Sequence, residues 1–211
     1  MTQIRKMDLI VLVADKSMEA AIEGALLRQK ALGIRSISYE IKRHSEKDCG
    51  CRTNGVEFLS IFAKQYEHAL LIFDYEGCGA EGTSIDKLES ELRNDLEHHG
   101  WAGRGDVLII NPELEIWVWS DSPWVDEILG WKGRVPKLRQ WLQQKHPVYW
   151  PELRTKPLRP KEAFQASLRE VKKVPSASLF KHLAESVSFN SCTDPAFGKF
   201  RALLKQWFGE E

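Results

Sequence analysis

Residues 7–14 read MDLIVLVA and residues 69–74 read ALLIFD, two apolar runs that each meet an aspartate at their carboxyl end, Asp15 and Asp74. Runs this short, rich in branched residues and free of polar alternation, fit strands buried on both faces, as inner strands of a parallel sheet are. Residues 35–41, RSISYEI, alternate instead, with Ile37, Tyr39 and Ile41 on one side, which places a strand nearer an edge. Residues 106–110, DVLII, supply a fourth strand. Between the strands lie helical patterns. Ser17 is placed to cap a helix whose stripe is Ala21, Ile22, Ala25, Leu26 and Leu32, and Gly33 fits its end. A short helix is expected at 56–66 and another at 84–99, with loops at 42–55 and 75–83. The β-α-β-α-β-α-β rhythm predicts an α/β fold with a mostly parallel sheet, right-handed crossovers, and the runs Leu9–Val13 and Ala69–Phe73 adjacent and central.

After Pro112 the strand signals stop. Helical patterns are expected at 123–129, 135–145, 161–173, 176–188 and 195–208, with Pro147, Pro151, Pro157 and Pro160 punctuating a loop. The expected organisation is an α/β core over 1–122 and a helical C-terminal region over 123–211 packed on it. The chain has 211 residues, 43% of them hydrophobic and 28% charged, enough for one good core. Its longest apolar run, Leu9–Ala14, is far too short to cross a bilayer. The opening MTQIRKMDLI lacks the pattern of an export signal, so the four cysteines are expected as reduced thiols in a cytoplasm.

Thirty basic and thirty acidic residues cancel, which excludes a uniformly basic coat protein and an acidic tail. The balance hides a polarity. Residues 74–127 hold 14 acidic and 3 basic residues, and residues 132–173 hold 12 basic and 3 acidic. Two solvated faces of opposite sign would account for this. So would a carboxylate site for divalent cations beside a basic surface for a phosphate polymer.

In an open parallel sheet, sites form at the carboxyl ends of the strands. The first strand ends at Asp15, with Glu19 one helical turn later. The third ends at Asp74, with Glu76 two residues on. The fourth runs into NPELEIW, residues 111–117, which brings Glu115. Singly, such acids cap helices, as Asp15 and Glu113 could. Together at one rim they form a set of hard oxygen donors suited to Mg²⁺ or Mn²⁺, and without a cation they would raise one another's pKa.

The segments VADKSME, FDYEG and NPELEIW resemble motifs of the TOPRIM domain, the metal-binding α/β module of topoisomerases, primases and defence nucleases. The NP-x-x-E-x-W stretch and the late DPAFGKFRALLKQW resemble the RloB-like branch, bacterial proteins tied to phage defence and restriction loci. The resemblance implies a TOPRIM-like, Rossmannoid sheet and Mg²⁺- or Mn²⁺-dependent phosphodiester hydrolysis of DNA or RNA. Asp74, Glu76 and Glu115 would hold the metal. Asp15 or Glu19, with Glu115, would be the catalytic acids. Other defence-system proteins are implied as partners. The chain departs from the pattern in carrying Ala14-Asp15-Lys16 where Glu-Gly is usual and Glu76 where Asp is usual. That departure carries a second reading, a non-catalytic binding subunit of the same fold.

Within the basic segment, Arg154, Lys156 and Arg159 are the expected backbone contacts to nucleic acid. Six tryptophans lie between 117 and 150. Trp117 and Trp141 fall in apolar helix patterns, while Trp150, in the basic Pro-rich loop, is the expected stacking platform for bases. His44, Cys49 and Cys51 share one polar segment, but the single residue between the cysteines is not the usual zinc spacing.

Overall fold

The computed structural model describes residues 6–210. The first half of the MTQIRKMDLI stretch lies outside them. Four strands form the sheet: β1 (Met7–Val13), β2 (Tyr39–Arg43), β3 (Tyr66–Asp74) and β4 (Gly105–Ile110). All pair in parallel, in the order β2-β1-β3-β4. The two apolar runs are therefore the inner pair, and Leu9–Val13 and Ala69–Phe73 are wholly enclosed. β2 is an edge strand, as its alternation implies, but it starts at Tyr39 rather than at residue 35.

The connecting helices are α1 (Lys16–Leu26), α2 (Gln29–Leu32), α3 (Lys47–Ser60) and α4 (Ile85–Leu96). Asp15, not Ser17, caps α1: its Oδ1 accepts the Ser17 and Met18 N–H groups at 2.8 and 2.9 Å. The expected loop at 42–55 is a correction, because α3 occupies most of it and ends at Ser60, before residue 66. The segment KDCGCRTNGVEFLS has no apolar stripe, since glycines stand where the helix meets its neighbours. A Cβ at Gly55 would come within 2.9 Å of a Leu71 methyl, and one at Gly50 within 2.1 Å of the His44 ring. Close approach, not hydrophobic bulk, seats this helix, and periodicity cannot show that.

Five more helices follow: α5 (Pro123–Ile128), α6 (Leu138–Lys145), α7 (Pro160–Glu170), α8 (Ala177–Ser186) and α9 (Pro195–Phe208). Right-handed crossovers put α1 on one face of the sheet and α3 and α4 on the other. α8 packs along α1, and α9 reaches β4 and α2. Arg28 fixes the α1–α8 contact by donating to the Ala184 and Val187 carbonyls at 2.8 and 2.6 Å. Among the described residues, no helix is long and apolar enough to cross a membrane.

His68, on β3, stacks on Trp207 with ring centroids 4.6 Å apart and meets Phe208 edge-on. Its Nδ1 is buried without a hydrogen-bond partner. Burial lowers its pKa below the ordinary 6.5, against the opposing pull of a hydrogen bond to the Arg104 backbone. The unfolded chain therefore binds more protons than the folded one just below pH 6.5, and stability rises with pH through that window. Thermal melts are expected to drop between pH 7 and pH 5, and His68→Phe to flatten that slope. An equal slope in both proteins refutes the assignment.

Candidate functional site at the carboxyl ends of the strands

Parallel pairing delivers three strand ends to one rim. Val13 on β1 pairs with Ile72 on β3, and Asp74 pairs with Ile110 on β4. Asp15 and Asp74 thus lie the same two residues beyond a paired position. The chain leaves β1 for one face and β3 for the other, so the crevice between their ends is a topological switch point, where ligands bind in open α/β sheets.

Asp74 sits in that crevice. Part of the residue reaches solvent, but its Oδ1 is enclosed and has no hydrogen-bond partner. Burial first, and then Asp48, Glu115 and Glu113, push its carboxyl well above the ordinary value, while the Leu114 N–H pulls the other way. Asp48, in the first turn of α3, accepts the Asp74 backbone N–H at 2.8 Å. Its own carboxyl is raised by burial and by Asp15, against two backbone hydrogen bonds and Lys161.

After β4, a single 3₁₀ turn (Leu114–Trp117) follows. Glu113, which precedes the turn, and Glu115 and Trp117 within it have separate tasks. Glu113 is 4% exposed, accepts the Lys161 backbone N–H at 3.0 Å, and meets the Lys161 ammonium at 3.2 Å. It therefore binds the first turn of α7, which Pro160 opens. Trp117 donates its indole N–H to Asp194 at 2.9 Å, and Asp194 caps α9. Glu115, between them, is half-buried; burial and then Glu113 raise its pKa to about 7. Lys161 is the cation of the group. Burial lowers its pKa, but Glu113, Glu115 and Asp74 more than offset this and raise it.

The structure thus gathers Asp15, Asp48, Asp74, Glu113 and Glu115 into one electrostatic cluster around Lys161. Glu76 stands apart: it is exposed, its backbone N–H extends the ladder to Pro112, and its charge is felt at Glu113. Glu19 is held by Arg43 at 3.0 Å, on the β2 side of the rim. Asp48 and Lys161 escaped the sequence reading. The first lay in an unrecognised helix, and the second meets its partner across 48 residues of chain. Among the described residues, no three His, Cys, Asp or Glu side chains stand ready to hold a metal ion. The enclosed, unpartnered Asp74 Oδ1 and the carboxylates around it are hard oxygen donors of the kind a divalent cation takes, with the Lys161 ammonium as the positive charge already among them.

The basic segment is largely tied down. Lys132 pairs with Glu127 at 2.9 Å and Arg134 with Glu170 at 3.5 Å. Lys156 and Lys173 each donate to a backbone carbonyl, of Ile116 and Ile128, both at 2.9 Å. Arg154 and Arg159 are exposed. The expectation for Trp150 is corrected: it is 4% exposed, packs edge-on against Trp119, and donates to the Arg154 carbonyl at 2.9 Å, so it offers no face to a base. Cys49 and Cys51 lie on α3, and all four thiols are free.

The fold and this rim define an α/β protein with a carboxylate cluster at a topological switch point. No protein-family model, curated protein or solved structure matches the chain.

Proposed function

We propose that the chain is a TOPRIM-like, divalent-metal-dependent phosphodiesterase acting on nucleic acid in the cytoplasm, as part of a bacterial phage-defence or restriction system. The observation that carries the reading is the enclosed Asp74 Oδ1, left without a partner among carboxylates at the switch point. Buried polar atoms without partners are rare and costly, and a cation would satisfy this one while relieving the repulsion around it.

Asp74 and Glu115, with Asp48 beside them, would hold Mg²⁺ or Mn²⁺, while Glu76 lies at the border. When bound, the ion supplies polarisation of the phosphate and a bound water whose pKa falls toward ~7. Asp15 has one oxygen committed to capping α1, and its Oδ2 meets no donor among the described residues, so it can orient the attacking water. Glu19, already held by Arg43, instead steadies the β2 side of the rim. Arg154 and Arg159 would add backbone contacts outside the crevice, whereas the Lys156 ammonium is already engaged by the Ile116 carbonyl. The exposure of Glu76, the second member of the expected acid pair, favours the other reading, a subunit of a defence assembly that binds nucleic acid without cutting it.

The test is cleavage of single- and double-stranded DNA and RNA with Mn²⁺ or Mg²⁺. Wild type is expected to cut at least one of them, and Asp74→Asn to lose about a hundredfold or more, the scale of a lost metal ligand or its partner. Binding without cleavage by wild type selects the non-cutting subunit, and cleavage that survives both EDTA and Asp74→Asn overturns the metal site.

A further inference from the structure

Beside the carboxylate crevice, between the end of β1 and the turn after β2, lies an open cleft of about 550 Å³. Its polar lining is Asp15, Lys16, Arg43, His44, Ser45 and Lys47. Arg43 is occupied by Glu19. The Lys16 and Lys47 ammonium groups are exposed and have no ion pair among the described residues. They share the lining with a single carboxylate, that of Asp15, one oxygen of which is already engaged as a helix cap. With Arg43 paired to Glu19, the lining holds two unpaired cations against one carboxylate, and the exposed Glu46 adjoins it between Ser45 and Lys47.

Two further details shape it. Lys47 has φ +53°, in the left-handed region that residues with a side chain seldom adopt. His44 is fixed from three directions: its backbone N–H donates to Val13, its Nδ1 accepts the Glu46 N–H at 3.1 Å, and its ring leans on Phe58. Its other ring nitrogen remains for a ligand, and so does the Ser45 hydroxyl. Two ammonium groups, an imidazole and a hydroxyl are the donors that phosphate oxygens take.

We infer that the cleft of Lys16, His44, Ser45 and Lys47 binds a phosphate of a nucleic-acid strand and leads the neighbouring phosphate to the carboxylate crevice. Asp15 belongs to both, since it lines the cleft and raises the pKa of Asp48 and Glu115. The inference rests on the nucleic-acid reading above, but it needs no metal and no turnover. It also moves the main phosphate contact from the 154–159 loop to the β1 and β2 ends, on the same rim as the acids.

The experiment is fluorescence anisotropy with short single-stranded DNA and RNA oligonucleotides, in EDTA and at low salt, so that a failure to cleave has no bearing on it. Lys16→Gln/Lys47→Asn is compared with wild type and with Arg154→Gln/Lys156→Gln/Arg159→Gln. Asparagine is chosen at 47 because it tolerates positive φ. The double variant is expected to bind about tenfold or more weakly, with the log–log salt slope shallower by about 1.4, the value for two lost contacts to a single strand. Its melting temperature should match wild type, since neither lysine is buried. Unchanged affinity in the double variant, or affinity lost only in the triple variant, overturns the cleft. So does calorimetric binding of inorganic phosphate or pyrophosphate by a wild-type chain that binds no oligonucleotide, which would mark a small-phosphate site.

Discussion

Asp74→Asn unfolds at a higher temperature than the wild-type chain when both are melted in EDTA at pH 7. Most substitutions of buried polar residues destabilise, so the sign is the test. In the wild-type carboxyl, Oδ1 is enclosed without a donor, and the group faces Asp48, Glu115 and Glu113. Its folded pKa lies above the unfolded value, so the folded state is penalised as pH rises past that unfolded value and the group ionises. Asparagine keeps an acceptor for the Leu114 N–H and removes the charge. Each unit of pKa shift is worth about 1.4 kcal/mol. A gain of about 1–2 kcal/mol, or roughly 3–6 °C for a chain of this size, is expected. It should vanish near pH 4, where wild type is protonated as well. Adding Mn²⁺ should reverse the order: wild type gains about 2.7 kcal/mol at a hundredfold excess over Kd, and the variant does not. A variant that melts lower in EDTA would make Asp74 a structural residue and remove the site's foundation.

Lys161→Met gives the largest loss expected from a half-exposed residue. Glu113 is almost wholly enclosed, and the Lys161 ammonium is its counter-charge. Without it, a buried carboxylate remains among like charges. Breaking a fully buried pair costs about 3–5 kcal/mol. The outer half of this pair is 53% exposed, so about 1–3 kcal/mol is expected here. The loss should grow from pH 5 to pH 8, as the carboxyls, whose pKa values lie above normal, ionise. Adding Glu113→Gln should recover part of it, because a neutral amide still accepts the Lys161 backbone N–H. A variant as stable as wild type at pH 8 would mean that solvent, not Lys161, balances Glu113.

The sheet was readable because β1 and β3 are buried on both faces and so carry no polar residue within Leu9–Val13 or Ala69–Phe73. The acids at their ends followed from the parallel order. α3 was not readable, since its contacts are made through Gly50 and Gly55, which leave no hydrophobic stripe. Asp48 was lost with it. Trp150 was misplaced for a different reason. Its neighbours in sequence are basic and polar, but its burial comes from Trp119, 31 positions away. The excess of positive charge in 132–173 likewise reads as a surface, although Lys156, Lys161 and Lys173 are anchored to distant backbone or carboxylate groups.

The turn that carries Glu115 and Trp117, together with Glu113 before it, also sets an order of assembly in time. Glu113 finds its partner 48 residues downstream and Trp117 finds Asp194 a further stretch along, 77 residues away. Synthesis proceeds from the amino end, and a nascent sheet of β1 to β4 can form before either partner exists. During that interval the rim has its acids but neither its lysine nor the anchor that fixes the turn. The crevice thus matures only when α7 and α9 have docked, and a half-made chain holds the charges of the site without its geometry.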